Sequence, residues 1–411
     1  MSNRVVVVGA GAAGSMAAIF AARSGAQVTL VERTRDGGRK ILISGGGRCN
    51  VLPAELDETR FVTDSSPNTL RKMLRSWPLD EQVEFFQGDL GIPLVVEEET
   101  KKRFPASNKA RDVRDGLLEY ARQAGVNILF ETLVTDVAPL ANGWRLLREA
   151  GPPLDADVVV VATGGLSVPN TGSDGTGLAI LQRLGHAMHP TYPALTPITG
   201  DVPAFTALAG ISLTVTLTAR DANRSATATG GFLFTHRGYS GPSVLDVSHV
   251  ITRASSLPDE RATISVRWAP LDDKRWENAL RAPGLRTVIG VLRAEMPDRL
   301  ALALTSLADV DPQRTLAELR REERLRLIDV LVRCDLPWTG DEGYKKAEVT
   351  GGGVSLAEVD PRSMQSRRHP GLYICGEALD AFGPIGGYNF AWSWATGRAA
   401  GHAAAEHRAT P

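Results

Sequence analysis

Three glycines near the beginning of the chain, Gly9, Gly11 and Gly14, have the spacing GxGxxG, and Glu32 follows within the ~20 residues expected for a nucleotide fingerprint. In such a turn the first glycine permits a tight bend, the second lets a pyrophosphate approach the backbone, and the third lets the helix pack on the strand. The helix N-terminus offers unpaired N–H groups to phosphates, and the acid accepts hydrogen bonds from a ribose hydroxyl pair. The pattern therefore predicts a dinucleotide site in preference to an ordinary strand–helix turn.

The elements that must position these residues are also recognisable in the sequence. Residues 5–8 form a continuous valine run, which is typical of a strand buried on both faces of a parallel sheet. An alanine-rich helix is predicted over 12–23, ended by Gly25, and a second strand over 28–31 ends at Glu32. The fingerprint alone does not separate NAD from FAD. Because there is no second complete GxGxxG unit, we expect one permanently bound dinucleotide.

Two later stretches decide between the cofactors. A buried strand in 155–165 ends in Ala-Thr-Gly-Gly, and another in 371–380 runs into GPIGGYNFAWSWATG, a glycine turn that opens a helix. This arrangement resembles flavoproteins with two dinucleotide-binding domains, in which the last part of the chain completes the FAD-binding site. By that analogy Glu377 contacts the ribityl chain, with Asp380 as the alternative. The helix after Gly387 would then point its positive end at the N1/O2 edge of the flavin.

Six stretches occur in an order that resembles one family. They are GRKILISGGGRCN, RFPASNKA, ATGGLSVPNTGSDGTG, LFTHRGYSGPSVL, VTGGGV and PGLYICGEALDAFGPIGGYN. The chain is similar, from residue 5 to about residue 400, to YhiN/BaiN-type (aminoacetone-oxidase-like) NAD(P)/FAD-dependent flavoproteins. The resemblance implies FAD as cofactor and reduction of carbon–carbon double bonds conjugated to carbonyls, in bile-acid intermediates or in a uracil of ribosomal RNA. The chain departs from the family pattern at 381–382 and 390–392, which flank the predicted active site, so the resemblance does not specify its substrate.

The glycine-rich stretch at 37–50 has a role under this resemblance, since related flavoproteins lay such a loop along FAD. Arg39, Lys40 and Arg48 would offer positive charge to phosphates, the alternative being a solvated loop. Asn50 would hydrogen-bond the ring edge, and Cys49, which has no cysteine nearby, is predicted to be a packed small residue and not a nucleophile. The predicted cofactor-binding residues are Gly9, Gly11, Ala12, Ala13, Gly14, Glu32, Arg33, Arg39, Lys40, Ser44, Gly45, Gly46, Gly47, Arg48, Asn50, Thr163, Gly164, Gly376, Glu377, Gly386, Gly387, Tyr388 and Asn389.

The middle of the chain reads as an insertion. Alternating patterns make 191–268 β-rich, and apolar residues at helical spacing make 272–335 helical. We therefore predict an α/β fold, a Rossmann-like two-dinucleotide-binding-domain FAD fold that is discontinuous. Its FAD-binding parts would be 1–190 and 341–411, with a substrate-capping region inserted at 191–340.

Candidates for catalysis come from this insertion. His236 lies before a Gly-Tyr-Ser-Gly-Pro turn and could donate to a substrate carbonyl, although a structural histidine is an equal alternative. Tyr239 is the second candidate proton donor. In the basic stretch TKKRFPASNKARDVRDG, half of the cations are expected on a solvated helix face, and Arg103 and Lys109 are predicted near an anionic substrate or the flavin.

Composition limits the remaining function classes. The 411 residues are 43% hydrophobic and 23% charged with a formal net charge of −1, which gives no overall attraction to nucleic acid or anionic membrane. The three cysteines form neither a CxxC pair nor a metal-ligand cluster, which favours a reducing cytosol. No segment apart from the glycine-interrupted start approaches a membrane span. We expect a cytoplasmic protein without a metal or a membrane partner.

Three hypotheses follow. The first is an FAD-dependent oxidoreductase that takes electrons from transiently bound NAD(P)H and reduces an enone-like small molecule through flavin N5. The second keeps this chemistry but makes ribosomal RNA the substrate, as a dihydrouridine synthase. The third is a non-catalytic flavin-binding redox sensor. The sequence leaves the oligomeric state, the choice between NADH and NADPH and the identity of the proton donor open.

Overall fold

The computed structural model describes residues 2–201, 203–254, 261–281 and 285–408, and the chain divides into two compact units. The first unit is Met1–Tyr192 with Val349–Pro411, and the second is Pro193–Glu348. In chain order the elements of the first stretch are β1 (Arg4–Val8), α1 (Ala12–Arg23), β2 (Gln27–Val31), α2 (Arg39–Ile43), β3 (Leu52–Pro53), α3 (Pro67–Leu74), α4 (Leu79–Glu84), β4 (Leu94–Glu97), β5 (Lys102–Pro105), α5 (Ala110–Gln123), β6 (Asn127–Leu129), β7 (Val134–Leu140), β8 (Gly143–Arg148), β9 (Leu154–Ala156), β10 (Val158–Val161), α6 (Thr176–Arg183) and β11 (Met188–Ala194).

The remaining elements belong to the second unit and to the last stretch of the first. The second unit contains β12 (Ile198–Thr199), α7 (Pro203–Thr206), β13 (Ser212–Arg220), β14 (Ser225–Thr235), β15 (Gly238–Ser240), α8 (Pro242–Ala254), β16 (Thr263–Arg267), α9 (Asp273–Leu280), α10 (Val288–Leu292), α11 (Asp298–Leu307), α12 (Arg321–Arg333), β17 (Cys334–Asp335) and β18 (Gly340–Asp341). The last stretch adds β19 (Val349–Val354), β20 (Leu372–Ile374) and α13 (Tyr388–Ala405).

The core of the first unit is a five-stranded parallel sheet in the order β20-β10-β1-β2-β6. Its central strands are valine-rich and buried, as a sheet covered on both faces requires. Helices α1 and α13 pack closely. Gly397 and Gly401 permit this contact, because a Cβ on either residue would overlap the backbone of α1. The predicted helix at 12–23 and the predicted strands on either side of it are confirmed. So is the predicted Rossmann-type α/β fold class.

Smaller sheets complete the first unit. Strands β3, β5 and β4 form one antiparallel sheet, β7, β8 and β9 form another, and β11 pairs with β19. The antiparallel pairing of β3 with β5 brings the glycine-rich stretch that precedes β3 next to the basic stretch at 101–105.

The second unit is built on a seven-stranded sheet in the order β17-β16-β13-β14-β15-β12-β18. A buried aromatic cluster fills its core, formed by Phe205, Phe232, Phe234, Tyr239 and Trp268. The β-rich prediction for 191–268 missed helix α8. That helix begins with Pro242, which is favourable at a first helical position, and buries Val244, Val247 and Ile251 on one face.

A search of the described helices finds none that is both long and apolar enough to cross a membrane.

Candidate cofactor site

The turn between β1 and α1 has the geometry that its glycines predict. Gly9 has φ of 103°, and a Cβ there would lie 2.6 Å from the carbonyl oxygen of Ala162. A Cβ on Gly14 would overlap the carbonyl oxygen of Gly9, so this glycine allows α1 to pack on the turn. At Gly11, by contrast, no heavy atom of the described structure lies within 4 Å of a Cβ position. The space is therefore in front of the second glycine, at the N-terminus of α1, whose first residues are Ala12 and Ala13.

Glu32 lies beside this turn. Its side chain is buried, Oε2 accepts a hydrogen bond from the Ala10 N–H at 2.8 Å, and Oε1 accepts from the N–H and hydroxyl of Thr34. These bonds fix the carboxylate at the end of β2, next to the glycine turn. Its contact with a ribose remains a prediction. Arg33, the next residue, forms an ion pair with Asp174.

The three consecutive glycines of the loop at 44–47 are required by backbone conformation. Gly45, Gly46 and Gly47 have φ of 56°, 68° and 87°, a left-handed region in which other residues are strained. A Cβ on Gly46 would have no heavy atom of the described residues within 4 Å. Ser44, at the beginning of the run, donates its hydroxyl to the Ile41 carbonyl. The run therefore presents bare backbone to open space.

Asn50 supplies the strongest sign that this loop faces a ligand. The residue is 8% exposed, and its Oδ1 is buried without a hydrogen-bond partner among the described residues. The Thr163 hydroxyl, after β10, is likewise buried and unpartnered within the described part of the chain. Because a buried polar atom without a partner costs about 1–3 kcal/mol, both atoms fit a site completed by a polar cofactor.

The predicted phosphate-binding cations already have protein partners. Arg39 donates to Asp36 at 2.7 Å, and Lys40 donates to Glu377 at 2.6 Å. Arg48 pairs with Glu97 at 2.8 Å, and its guanidinium carbon lies 3.7 Å from the centre of the Phe104 ring. Through Glu97 in β4 and Phe104 in β5, Arg48 connects the glycine loop to this pair of strands. The phosphate role of all three remains a prediction.

Glu377 is the centre of a network that joins distant parts of the chain. Oε1 accepts from the Ser167 hydroxyl at 2.7 Å and from the Thr350 N–H at 3.0 Å, while Oε2 accepts from Lys40. The Thr350 hydroxyl in turn accepts from the N–H groups of Leu166 and Ser167. Sequence reasoning predicted Glu377 near the cofactor but missed Ser167 and Thr350, although both lie in the family-like stretches ATGGLSVPNTGSDGTG and VTGGGV.

The glycines around this network have the expected constraints. Gly164 and Gly376 have φ of 73° and 74°, and a Cβ on Gly376 would lie 2.7 Å from Cβ of Ala13 on α1. Asp380, the alternative ribityl contact, is directed elsewhere. Its Oδ2 accepts from the hydroxyls of Thr63 and Ser65 and from the N–H groups of residues 64 and 65 at 2.8–2.9 Å. It therefore holds the 63–65 segment.

The turn before α13 is shaped by the last predicted cofactor residues. Gly386 and Gly387 have φ of 116° and 92°, and a Cβ on Gly387 would overlap the backbone of β3. Asn389 closes the turn, because its side chain both accepts from and donates to the backbone of Gly383 at 2.9 Å. Tyr388 is buried and donates to the Glu55 carbonyl at 3.3 Å.

The substrate-binding candidates lie in the first unit and the catalytic candidates in the second. Arg103 donates to the carbonyls of Pro53 and Ala54 at 3.2 Å, which fixes β3, and Lys109 is exposed just before α5. In the second unit, His236 is exposed on the turn between β14 and β15. Tyr239 is buried, its hydroxyl donates to the Pro337 carbonyl at 2.9 Å, and burial raises its pKa. These surroundings favour a packing role for Tyr239.

The cysteines are buried free thiols. Burial raises the pKa of Cys49 to about 12, against a weaker lowering by a hydrogen bond with Ser44, so its thiol is neutral at physiological pH. Cys49 has φ of 60° and continues the left-handed run of the glycines. These observations support the prediction of a packed residue, because a nucleophilic thiol needs a lowered pKa and exposure.

Comparison with known proteins gives the family. The HI0933-like protein Rossmann domain model matches residues 3–403. The chain belongs to the HI0933-like family. A member of similar length, the ribosomal RNA dihydrouridine synthase of Escherichia coli (strain K12), is 31% identical over 396 residues, covering 95% of each chain. The 3-dehydro-bile acid delta(4,6)-reductase of Clostridium scindens is 32% identical over 422 residues, covering 98% of this chain and 99% of the relative. The predicted YhiN/BaiN-type resemblance is confirmed.

Solved structures support the fold of this HI0933-like protein. The 3-ketosteroid delta1-dehydrogenase of Sterolibacterium denitrificans has a TM-score of 0.52 at 13% identity, covering 98% of this chain and all of that chain. Sdh1 of Mycobacterium smegmatis has a TM-score of 0.51 at 18% identity, covering 100% of this chain and 69% of that chain. The predictions of FAD as cofactor and of an oxidoreductase agree with this family, and the residues around Gly11, Gly46 and Asn50 fit such a cofactor.

Proposed function

We propose that this HI0933-like protein is an FAD-dependent oxidoreductase that reduces a carbon–carbon double bond conjugated to a carbonyl, with electrons from NAD(P)H. The observation that carries the proposal is the chemistry shared by two of its near-full-length relatives. A delta(4,6)-reductase and a dihydrouridine synthase both saturate such a bond. The net reaction takes one hydride from NAD(P)H and one proton, and it yields NAD(P)⁺ and the saturated carbonyl compound.

The residues of the first unit would bind and orient the cofactor. The N–H groups at the beginning of α1, behind the open space at Gly11, hold the pyrophosphate, and Glu32 receives the ribose hydroxyls. Glu377, held by Lys40 and Ser167, presents its carboxylate towards the ribityl chain. When bound, FAD supplies hydride transfer between the nicotinamide and the substrate through its N5 atom.

His236 is the side chain that we propose as donor to the substrate. Its imidazole is exposed, and no hydrogen bond or ion pair engages it within the described residues. A hydrogen bond from it to the substrate carbonyl would stabilise the enolate that forms as hydride reaches the β-carbon, and the α-carbon then takes the proton. Tyr239 is the less suitable candidate, since its hydroxyl is buried and occupied by Pro337.

A uracil in ribosomal RNA is the second candidate substrate, and a specific feature favours it. An open cavity of about 460 Å³ on the first unit is lined by Glu58, Thr59, Asn68, Arg71, Lys72 and Arg75. Arg75 is paired with Glu58, whereas Arg71 and Lys72 have no carboxylate partner in the described part of the chain. Two cations without a carboxylate partner beside a cleft suit phosphates of a nucleic acid backbone. Against this, residues 193–348 contain equal numbers of acidic and basic side chains.

Anaerobic stopped-flow experiments test the proposal. The FAD-loaded protein is reduced with NADH or NADPH and then mixed with a 3-keto-4-ene steroid, a smaller enone or a ribosomal RNA fragment, while flavin reoxidation is followed. Turnover of an enone supports the first candidate. Reoxidation by RNA alone, with dihydrouridine in the product and loss of activity in Arg71→Ala/Lys72→Ala, supports the second. A flavin that is reduced by NAD(P)H but reoxidised by none of these acceptors would contradict the proposal.

A further inference from the structure

Lys102 lies at the turn that leads into α13. It is the first residue of β5, where it pairs with Pro53 of β3 on one side and with Glu97 of β4 on the other. A Cβ on Gly386 would lie 3.8 Å from Cγ and 3.7 Å from Cε of Lys102. The half-buried lysine stem therefore packs against Gly386, two residues before the first residue of α13.

The Lys102 amine has no hydrogen-bond or ion-pair partner among the described residues, unlike its neighbours. Lys40 is paired with Glu377, and Lys101 with Glu98. Glu97, opposite Lys102, is occupied by Thr100 at 2.5 Å and by Arg48 at 2.8 Å. Hydrogen bonds from Thr100 and Arg48 chiefly lower the pKa of Glu97, and Lys102 adds only a weaker, longer-range effect. A positive charge in this position is available to a ligand.

A second observation at the same place points to a ligand. The backbone of β3 is pressed against Gly387, and Asn50, two residues before β3, carries the buried Oδ1 atom that has no partner in the described structure. Strand β3, which contacts Gly387, is thus paired with β5, from which Lys102 contacts Gly386. The first N–H groups of α13 have no carbonyl partner within their own helix and add positive potential here.

We infer that Lys102 lies against the edge of the flavin ring that becomes negatively charged on reduction, and that it sets the reduction potential of the FAD. The inference rests on the cofactor of the proposed function. Oxidised flavin that accepts a hydride gains two electrons and one proton, so the ring acquires one net negative charge. A fixed cation beside that charge stabilises the reduced form more than the oxidised form. Arg103 and Lys109, the cations favoured by the sequence, are bound to β3 carbonyls and exposed before α5, respectively.

The test compares the two-electron midpoint potential of FAD in the parent protein, Lys102→Met, Lys102→Arg and Lys101→Met, measured anaerobically against a reference dye. We expect Lys102→Met to lower the equilibrium constant for reduction of the FAD about tenfold. For a two-electron couple this equals a midpoint potential about 30 mV more negative. Lys102→Arg keeps the charge and should stay near the parent value. Lys101→Met removes an exposed lysine that is paired with Glu98 and should leave the potential unchanged.

FAD affinity, measured by quenching of flavin fluorescence, should change less than threefold in all variants. The inference is overturned by an unchanged potential in Lys102→Met, by an equal fall in Lys101→Met, or by release of FAD from Lys102→Met, which would mean that the lysine holds the cofactor instead. A lowered potential in a protein that reduces no enone and no RNA would leave the inference standing while the proposed function fails.

Discussion

Gly11 and Gly14 stand three residues apart in one turn, yet a side chain at each would meet different surroundings. At Gly14 a Cβ overlaps the Gly9 carbonyl oxygen, whereas at Gly11 it enters space that is free of described protein atoms. A substitution at Gly14 is therefore a test of the fold, and one at Gly11 is a test of what fills the space. The same contrast between packing and ligand contact applies to Cys49 and Asn50, of which only Asn50 has an unsatisfied buried atom.

For Gly11→Val we expect loss of FAD binding with little change in the melting temperature of the apoprotein, because the valine takes the place of the pyrophosphate and no described heavy atom lies within 4 Å of its Cβ. Gly14→Val is the matched comparison, and it should lower the yield of folded protein. FAD fluorescence quenching and circular dichroism measure the two effects. Retention of FAD by Gly11→Val would show that the pyrophosphate lies elsewhere.

For Cys49→Ser we expect FAD binding to persist and the rate of flavin reduction by NAD(P)H to stay within about tenfold of the parent, a barrier change of ~1.4 kcal/mol. The thiol is buried, and its raised pKa keeps it neutral, so it supplies no thiolate. Stopped-flow reduction is the measurement. A loss of several hundredfold with FAD still bound would assign the cysteine a part in the chemistry.

The strands and turns around the site are connected by a small number of polar bridges. Lys40 at the beginning of α2, Ser167 after β10 and Thr350 in β19 all meet at Glu377, just after β20. Because the partners come from different parts of the chain, this network joins α2, the segment after β10, β19 and the segment after β20. Asp380 does the same for the 63–65 segment.

Glu377→Gln should weaken FAD binding and lower the free energy of unfolding of the apoprotein by about 1.5–3 kcal/mol, the range for a hydrogen bond to a charged group. The cost arises because the Lys40 amine loses its carboxylate. Urea unfolding of Glu377→Gln, Lys40→Met and the double variant measures it. We expect the double variant to be less destabilised than the sum of the single variants, and additive losses would argue against direct coupling.

The exposed turn between β14 and β15 gives a prediction for the second unit. His236→Ala should slow flavin reoxidation by the true acceptor about 10²–10³-fold, the usual effect of removing one donor to a developing oxyanion. Since the side chain is exposed, its loss should leave the melting temperature and FAD affinity unchanged. Arg237→Ala, at the neighbouring exposed position, is the control. Normal reoxidation in His236→Ala would remove the histidine from the mechanism.

In the whole molecule, the predicted cofactor residues all belong to the first unit although they are drawn from both ends of the chain. Residues 9–50, 163–164 and 376–389 come together through the sheet order β20-β10-β1-β2-β6. The second unit has its own sheet and its own aromatic core.

FAD should therefore stabilise the protein against heat, and FMN should not. The glycine turn and Glu32 serve an adenosine diphosphate half that FMN lacks. At a free FAD concentration of about 100 times Kd the expected gain is ~2.7 kcal/mol. Differential scanning calorimetry with each flavin, and chromatography of the flavin released by heat, check this. Equal stabilisation by FMN, or release of FMN, would contradict the predicted cofactor.

The sequence by itself determined the β1–α1–β2 turn, with Glu32 at its end, and the positions of the late strands and of α13. These features are local. A valine run, the spacing of glycines and an alanine-rich segment each favour one backbone conformation over a few consecutive residues. Helix α8 was missed because the Gly-Tyr-Ser-Gly-Pro sequence at its beginning is typical of a turn, while the burial of its apolar face depends on the tertiary packing.

Only the tertiary structure decided which polar groups meet. Lys40 and Glu377 are 337 residues apart in the chain, and nothing in either local pattern specifies the partner. Arg48 is directed to Glu97 and Phe104, and Lys102 to Gly386, by the antiparallel pairing of β5 with β3 and β4. Local sequence sets backbone conformation through sterics, but long-range pairing depends on how strands and helices pack. The conformations of the glycines could therefore be predicted from the sequence, whereas the partners of the charged side chains could not.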